Sequence, residues 1–199
     1  MSKLLYIKAN PKGNENSITF RTSESFIKAY KEANPNDEIV TLDLYQEGIK
    51  FLDEQMLTDM FSGKETVMLK YAQQFANADK YVIAAPMWNL GSPAIVKAYF
   101  DYVTMVGVTF KYTEQGPVGL LADQGKKAVH IVARGGLYIQ PPADAFEMGD
   151  RYLKTIMGFM GVTDFTTVTT ELTGVLQGED LENAVQHSIE QAENLAKNF

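Results

Sequence analysis

The stretch YVIAAPMWNLGSP, residues 81–93, decides how the chain is read. Tyr81 to Ala85 is short and almost wholly apolar, the pattern of a parallel strand covered by helices on both faces rather than of a half-solvated strand with alternating polarity. Pro86 closes the run and Pro93 opens the next helical stretch. Between them stands the only Trp of a 199-residue chain, directly past what must be the central strand.

Working outward, Leu4 to Ile7 is a second short apolar strand, closed by Ala9-Asn10-Pro11-Lys12-Gly13. Ser17 to Ala33 then carries apolar residues at helical spacing. Asn34-Pro35-Asn36-Asp37 breaks that helix, Glu38 to Leu44 reads as strand two, and Asp53 to Phe75 as helical with an interruption near Ser62-Gly63. After Pro93 a helix runs to about Val106, followed by a long irregular stretch, Phe110 to Gly125. Strand four is Ala128 to Val132. Asp144 to Met160 is the next helix, with Asp144 as its expected cap. Asp164 to Thr170 is a β-branched strand, and Leu181 to Asn198 the last helix.

Five strands alternating with five helices imply an α/β fold, a three-layer α/β/α sandwich around a five-stranded parallel sheet, because crossovers between parallel strands place helices on the faces. The expected strand order is 2-1-3-4-5. Turn signals are spread evenly and no repeat or Ser/Pro-rich linker appears, so residues 1–199 are expected to form one domain.

Hydrophobic residues make up 45% and charged residues 22%, with 18 basic against 25 acidic side chains and a net charge of −7. Such a surface repels duplexes and anionic membranes, so neither nucleic acid nor membrane is an expected partner. The chain has no Cys, which removes thiolate nucleophiles, Cys-ligated zinc and iron–sulfur clusters together. The apolar start MSKLLYIKAN is too short for a signal-peptide core, no run approaches a membrane span, and a cytoplasmic location is the expectation.

In sheets of this order ligands sit beyond the carboxyl ends of the strands, at the switch point between strands one and three. Three unusual loops fall there. The first runs from Asn10 to Ser17-Ile18-Thr19, where free N–H groups and the positive end of a helix dipole suit a phosphate; a plain Ser cap is the alternative. The second is Pro86-Met87-Trp88-Asn89-Leu90, whose flat indole and bifunctional amide suit a planar heterocycle, the alternative being a Trp that plugs the sheet edge. The third is Ala133-Arg134-Gly135-Gly136-Leu137-Tyr138, where paired glycines allow close backbone approach or mark an ordinary turn.

With Ala33 to Glu38, Pro86-Met87-Trp88-Asn89, Phe110-Lys111-Tyr112-Thr113-Glu114-Gln115-Gly116-Pro117 and Ala133-Arg134-Gly135-Gly136 in one sequence, the chain resembles the FMN-dependent NADH azoreductases, also described as NADH:quinone oxidoreductases, of the flavodoxin-like superfamily. The resemblance spans essentially the whole length. It implies FMN held by its phosphate at Ser17, Ile18 and Thr19, with Asn10 where many relatives carry Ser. It implies an isoalloxazine ring along Pro86, Met87, Trp88, Asn89 and Leu90 and against Ala133, Gly135 and Gly136. Relatives often have Ser at the place of Ala133, so a backbone contact is what remains there. The family is typically homodimeric with the flavin sites at the interface, and Tyr112 and Phe159 match positions that line the neighbouring subunit's pocket. The segment Asp53 to Asp79 is shorter than in many relatives, which bears on substrate range.

The reaction so implied is ping-pong: NADH, or NADPH, delivers hydride to FMN, and a quinone, azo compound or nitroaromatic is then reduced in the same slot, with no side-chain general acid demanded. Tyr138 or the glycine amides are the candidates for stabilising the anionic reduced flavin, and Arg134 is expected in a surface ion pair. His130 is expected in the core and His187 in solvent, which makes zinc improbable. Glu179-Asp180-Glu182 fits the first turn of a helix. A dinucleotide dehydrogenase with Asp43 on a ribose lacks the Gly-x-Gly-x-x-Gly turn, and a hydrolase lacks the Gly-x-Ser-x-Gly elbow. A non-catalytic flavodoxin-like electron carrier is the remaining rival.

Overall fold

The computed structural model describes residues 1–62 and 64–199. Its five parallel strands are β1 (Lys3–Lys8), β2 (Glu38–Asp43), β3 (Lys80–Ala84), β6 (Lys127–Ala133) and β7 (Asp164–Thr170), in the order β2-β1-β3-β6-β7. Counted along the sheet this is the expected 2-1-3-4-5. The helices are α1 (Ile18–Ala33), α2 (Glu54–Phe61), α3 (Val67–Ala76), α4 (Ala94–Val103), α5 (Gly149–Met160) and α6 (Gly178–Ala196). The break expected near Ser62-Gly63 does separate α2 from α3, with Gly63 itself outside the described residues.

The period of two along each strand sorts the core into two sides. Leu5, Ile7, Tyr81, Ile83 and Ala128 face the apolar stripes of α3, α4 and α5, where Phe75, Tyr99, Phe100, Leu153 and Met157 are all buried. Leu4, Tyr6, Val82, Ala84, Val129 and Ile131 face α1 and α6 through Phe20, Phe26, Tyr30, Ala192 and Ala196. Central strands thus spend every position on burial, which is why their sequence reads as an unbroken apolar run. Local chemistry starts the helices: Ser17, Asp53 and Thr66 accept the amides of Phe20, Met56 and Leu69 at 3.2, 2.8 and 3.1 Å, each satisfying a donor the helix cannot.

Two expectations are corrected. The stretch from Phe110 is not irregular throughout: β4 (Phe110–Thr113) and β5 (Gly116–Gly119) form an antiparallel hairpin. Its strands are four residues long and mostly exposed, so they carry little apolar alternation to read. The hairpin base seats on the end of α5 at Gly119, where a Cβ would lie 2.3 Å from the Met160 carbonyl carbon. Asp144 does not cap α5 either. It lies in a separate 3-10 turn, Ala143–Phe146, and Glu147 takes the amides of Asp150 and Arg151 at 2.9 and 3.2 Å. A carboxylate reaching forward over the first turn serves as well as a side chain at the boundary itself.

Candidate functional site

The three loops converge at the carboxyl edge of β1, β3 and β6. Their roots are tied by the sheet ladder continuing past the strands: Ala9 N–H donates to Ala84 O at 2.9 Å and Met87 N–H to Ala133 O at 3.1 Å. Between them is a cleft of about 320 Å³ lined by Asn10, Ser17, Ile18, Thr19, Pro86, Met87, Trp88, Ala133 and Gly135, within the usual range for a small-molecule site.

One wall is the N-terminus of α1. Ser17 caps it, and its Oγ also accepts from Asn10 Nδ2 at 2.9 Å, so both side chains are buried and fixed. Phe20 and Arg21 have their amides bonded to Ser17, which leaves the Ile18 and Thr19 amides as the helix's free donors. Thr19 plays another part: its Oγ1 accepts the Ala133 amide at 3.2 Å. With the Ala133 carbonyl accepting from Met87, both backbone groups of Ala133 are already engaged, its amide in a strut between α1 and β6, while the residue stays in the lining of the cleft.

The opposite wall is the tryptophan turn. Trp88 and Gly91 exchange reciprocal N–H···O bonds of 2.8 and 3.0 Å around Asn89 and Leu90, whose φ values are 48° and 70°. Two left-handed residues in succession make a type I′ turn, a conformation glycine and asparagine adopt freely and leucine does not. Trp88 is 39% exposed, which overturns the alternative of a Trp plugging the sheet. Leu90 O is held in turn by the Met148 amide at 2.9 Å, at the start of α5.

The third wall is the double glycine. The Gly135 and Gly136 carbonyls accept from Gly174 and Leu172 at 3.1 Å each, and the Arg134 carbonyl accepts from Thr173, so the segment after β7 is zipped onto this loop. A Cβ on Gly135 would meet no atom within 4 Å, whereas one on Gly136 would lie 3.1 Å from the Tyr138 ring. Tyr138 covers Gly136 and lines a neighbouring cavity with Arg134, Glu147 and Arg151 rather than the cleft. Asn89, Leu90 and Gly136 stand on the rim, outside the lining.

Tyr112 and Phe159 are not brought to the cleft of their own chain. Tyr112 is on the hairpin, 71% exposed, and Phe159 packs at the hairpin base, its ring 4.8 Å from that of Phe110. Arg134 is corrected from the surface to the interior: 4% exposed, it pairs with Glu171 at 2.9 Å and Glu147 at 3.5 Å. His130 is buried and His187 exposed.

Four lining residues escape the sequence reading: Lys12, Asn16, Thr173 and Gly174. Lys12 and Asn16 sit in the loop already singled out and could have been found by counting its polar side chains. Thr173 and Gly174 carry no motif and arrive only through the backbone zipper to Gly135. Chemically, the cleft offers free amides, a lysine and a helix N-terminus at one end, all suited to an anion. At the other it offers an exposed indole and an open glycine surface, suited to a flat ring.

A 2-1-3-4-5 parallel sheet with such a cleft at its switch point defines a flavodoxin-like α/β protein. The chain belongs to the Flavodoxin_2 family, described as having the flavodoxin-like fold, whose family model matches residues 2–196. It is 59% identical over 204 residues to a protein of Caldicellulosiruptor saccharolyticus named FMN-dependent NADH:quinone oxidoreductase, and 58% identical over 203 residues to FMN-dependent NADH:quinone oxidoreductase 2 of Clostridium acetobutylicum; all of both chains is covered in each case. Among solved structures, an azoreductase from Bacillus anthracis superposes with a TM-score of 0.91 at 38% identity over the full length of both chains. An FMN-dependent NADH-azoreductase of the same species, in complex with FMN, gives 0.89 at 30% identity over 98% of each chain.

Proposed function

We propose that the chain is an FMN-dependent NADH oxidoreductase that reduces quinones and reductively cleaves aromatic azo compounds to amines. The observation that carries this reading is the convergence of three sequence-distant loops on one cleft, with anion donors at one end and a ring platform at the other. The residues fit FMN: the Ile18 and Thr19 amides would take the phosphate, with Ser17 and Asn10 holding the helix end in place and Lys12 adding charge. Pro86, Met87, Trp88, Asn89 and Leu90 would line one edge of the ring and Gly135 and Gly136 the other. Glycine at 135 leaves open the space a side chain would fill.

FMN, when bound, accepts a hydride from NADH and passes two electrons to the acceptor. The chain's part is to bind, orient and exclude. The amides of Gly135 and Gly136, whose carbonyls are already engaged, are the donors that would stabilise negative charge on a bound ring. Tyr138 is set aside for this role, because its ring lies over Gly136 and its amide donates to Glu171 at 2.9 Å. One open cleft serves donor and acceptor in turn, so the kinetics are ping-pong. An azo bond needs four electrons and four protons to become two amines, hence two turnovers, and solvent supplies the protons of an open site.

The active form is a homodimer in which Tyr112 of one subunit covers the other's cleft, the reading that accounts for a largely exposed aromatic on the β4–β5 hairpin. Phe159 supports that hairpin from below. Among the described residues no helix is long and apolar enough to cross a membrane, and the enzyme works in the cytoplasm. A visible spectrum followed by anaerobic addition of NADH tests the proposal. Yellow protein that bleaches with NADH and recolours with a quinone is the expected result. Flavin bound without bleaching would make the chain an electron carrier, and a protein that stays colourless with FMN supplied would end the reading.

A further inference from the structure

His130 lies mid-strand in β6, in register with Ile83 of β3 and Thr167 of β7, and is buried. Each ring nitrogen has a partner: Nδ1 lies 2.9 Å from Asp150 Oδ1, and Nε2 lies 3.2 Å from the Ala85 carbonyl. The Asp150 carboxylate already accepts the Thr167 hydroxyl at 2.6 Å on Oδ1 and the Lys154 ammonium at 2.8 Å on Oδ2. Held on both oxygens, the carboxylate is a fixed partner for the Nδ1 side of the ring. A carbonyl only accepts, so on the other side Nε2–H donates to Ala85. The surrounding charges are Lys154 and Arg151 on α5, Glu147 ahead of it, and Arg134 with Glu171 at the ends of β6 and β7.

The Ala85 carbonyl is the last peptide oxygen before Pro86, where β3 gives way to the tryptophan turn. The ladder holds the neighbouring groups: Ala85 N–H bonds to Ile131 O at 3.2 Å and Met87 N–H to Ala133 O at 3.1 Å. The Ala133 amide, however, is drawn off to Thr19. At this point the sheet opens, and a buried carbonyl there must find a side-chain donor or lose a hydrogen bond.

We infer that His130 is a positioning residue of the cleft: its ring, clamped between Asp150 and the Ala85 carbonyl, fixes the direction in which the chain leaves β3 and so where Trp88 stands. The consequence for cofactor binding rests on the FMN reading; the anchoring itself does not.

Trp88, as the sole tryptophan, reports its own position. In the full-length chain without added FMN, His130→Phe removes the ring's hydrogen-bonding nitrogens at similar size, and acrylamide quenching of Trp88 should rise about two-fold as the turn loosens. His130→Gln, which keeps one donor, should recover part of the change. With FMN added, the dissociation constant of His130→Phe should rise about tenfold, the equivalent of one lost anchored contact. The His187→Gln protein has a single histidine, and its ring 15N spectrum should show Nε2 carrying a proton. Far-UV circular dichroism establishes that each variant is folded; should His130→Phe not fold, Asp150→Asn, which removes the charge partner, carries the quenching test. An Nε2 without a proton in the 15N spectrum, or wild-type quenching in a folded variant, overturns the inference. A wild-type chain that takes up no FMN overturns the cofactor reading instead, while quenching and the nitrogen spectrum still decide the anchor.

Discussion

Trp88 and Ser17 show how differently single residues on one cleft are held. Ser17 is locked by two hydrogen bonds and buried, while Trp88 is fixed only through the backbone of its turn and leaves its indole free for a ligand. Trp88→Ala should therefore leave the fold intact and weaken FMN binding by roughly 0.5–1.5 kcal/mol, the worth of a stacked aromatic, measured by fluorescence titration of the flavin. Asp150 makes a prediction of another kind. Burial works against its charge, but the bonds from His130, Lys154 and Thr167 outweigh that and hold its carboxyl well below the usual carboxylate range. A carboxylate with a depressed native value contributes stability that is fully present above the unfolded value of about 4 and is lost as pH falls below it. The thermal midpoint should accordingly drop on acidification through that window, and Asp150→Asn, less stable at neutral pH, should show a shallower drop; equal slopes would remove Asp150 as a source. At this scale the sequence was legible where a residue type has few uses, as with the lone Trp. It was legible for the burial of His130 but not for its partner Asp150, nor for Arg134 with Glu171 and Glu147; these partners lie 13 or more positions away.

Elements were legible in proportion to the apolar surface they bury. Strands β1, β3 and β6 and helix α1 have one continuous buried pattern each, and their limits follow from it. The hairpin β4–β5 buries Phe110 and little else, so its Phe-Lys-Tyr-Thr and Gly-Pro-Val-Gly segments carry no period. The start of α5 was misplaced because a Pro-Pro-Ala-Asp run looks like a helix beginning, whereas the carboxylate that satisfies the first amides belongs to Glu147. Thr173 and Gly174 belong to the cleft only because their segment hydrogen-bonds to Gly135, a pairing that no local pattern records. The hairpin also makes an element-scale prediction. Gly119→Ala would force a Cβ against the Met160 carbonyl, and it should cost roughly 1–3 kcal/mol, the range for overpacking against a backbone that must shift, read from chemical denaturation. A loss under 0.5 kcal/mol would mean that the hairpin base is looser than its spacing indicates.

The whole molecule is arranged so that one end of the sheet does the work and the other only holds it together. If the Tyr112 hairpin completes the partner's cleft, activity per chain should fall on dilution below the dimer dissociation constant, while flavin bound to each chain persists longer; sedimentation paired with turnover assays measures both. Tyr112→Ala should then raise the KM for aromatic acceptors without unfolding the chain, and an unchanged KM would place the hairpin outside catalysis. The start of α5, with the two residues just ahead of it, reaches three parts of this end at once: Asp150 to His130, Glu147 to Arg134, and Met148 to Leu90. It serves as a keystone, and a keystone fails before the arch is rubble. On slow heating the yellow colour should leave the protein at a lower temperature than the one at which its helical signal collapses, so that the enzyme goes blind before it melts.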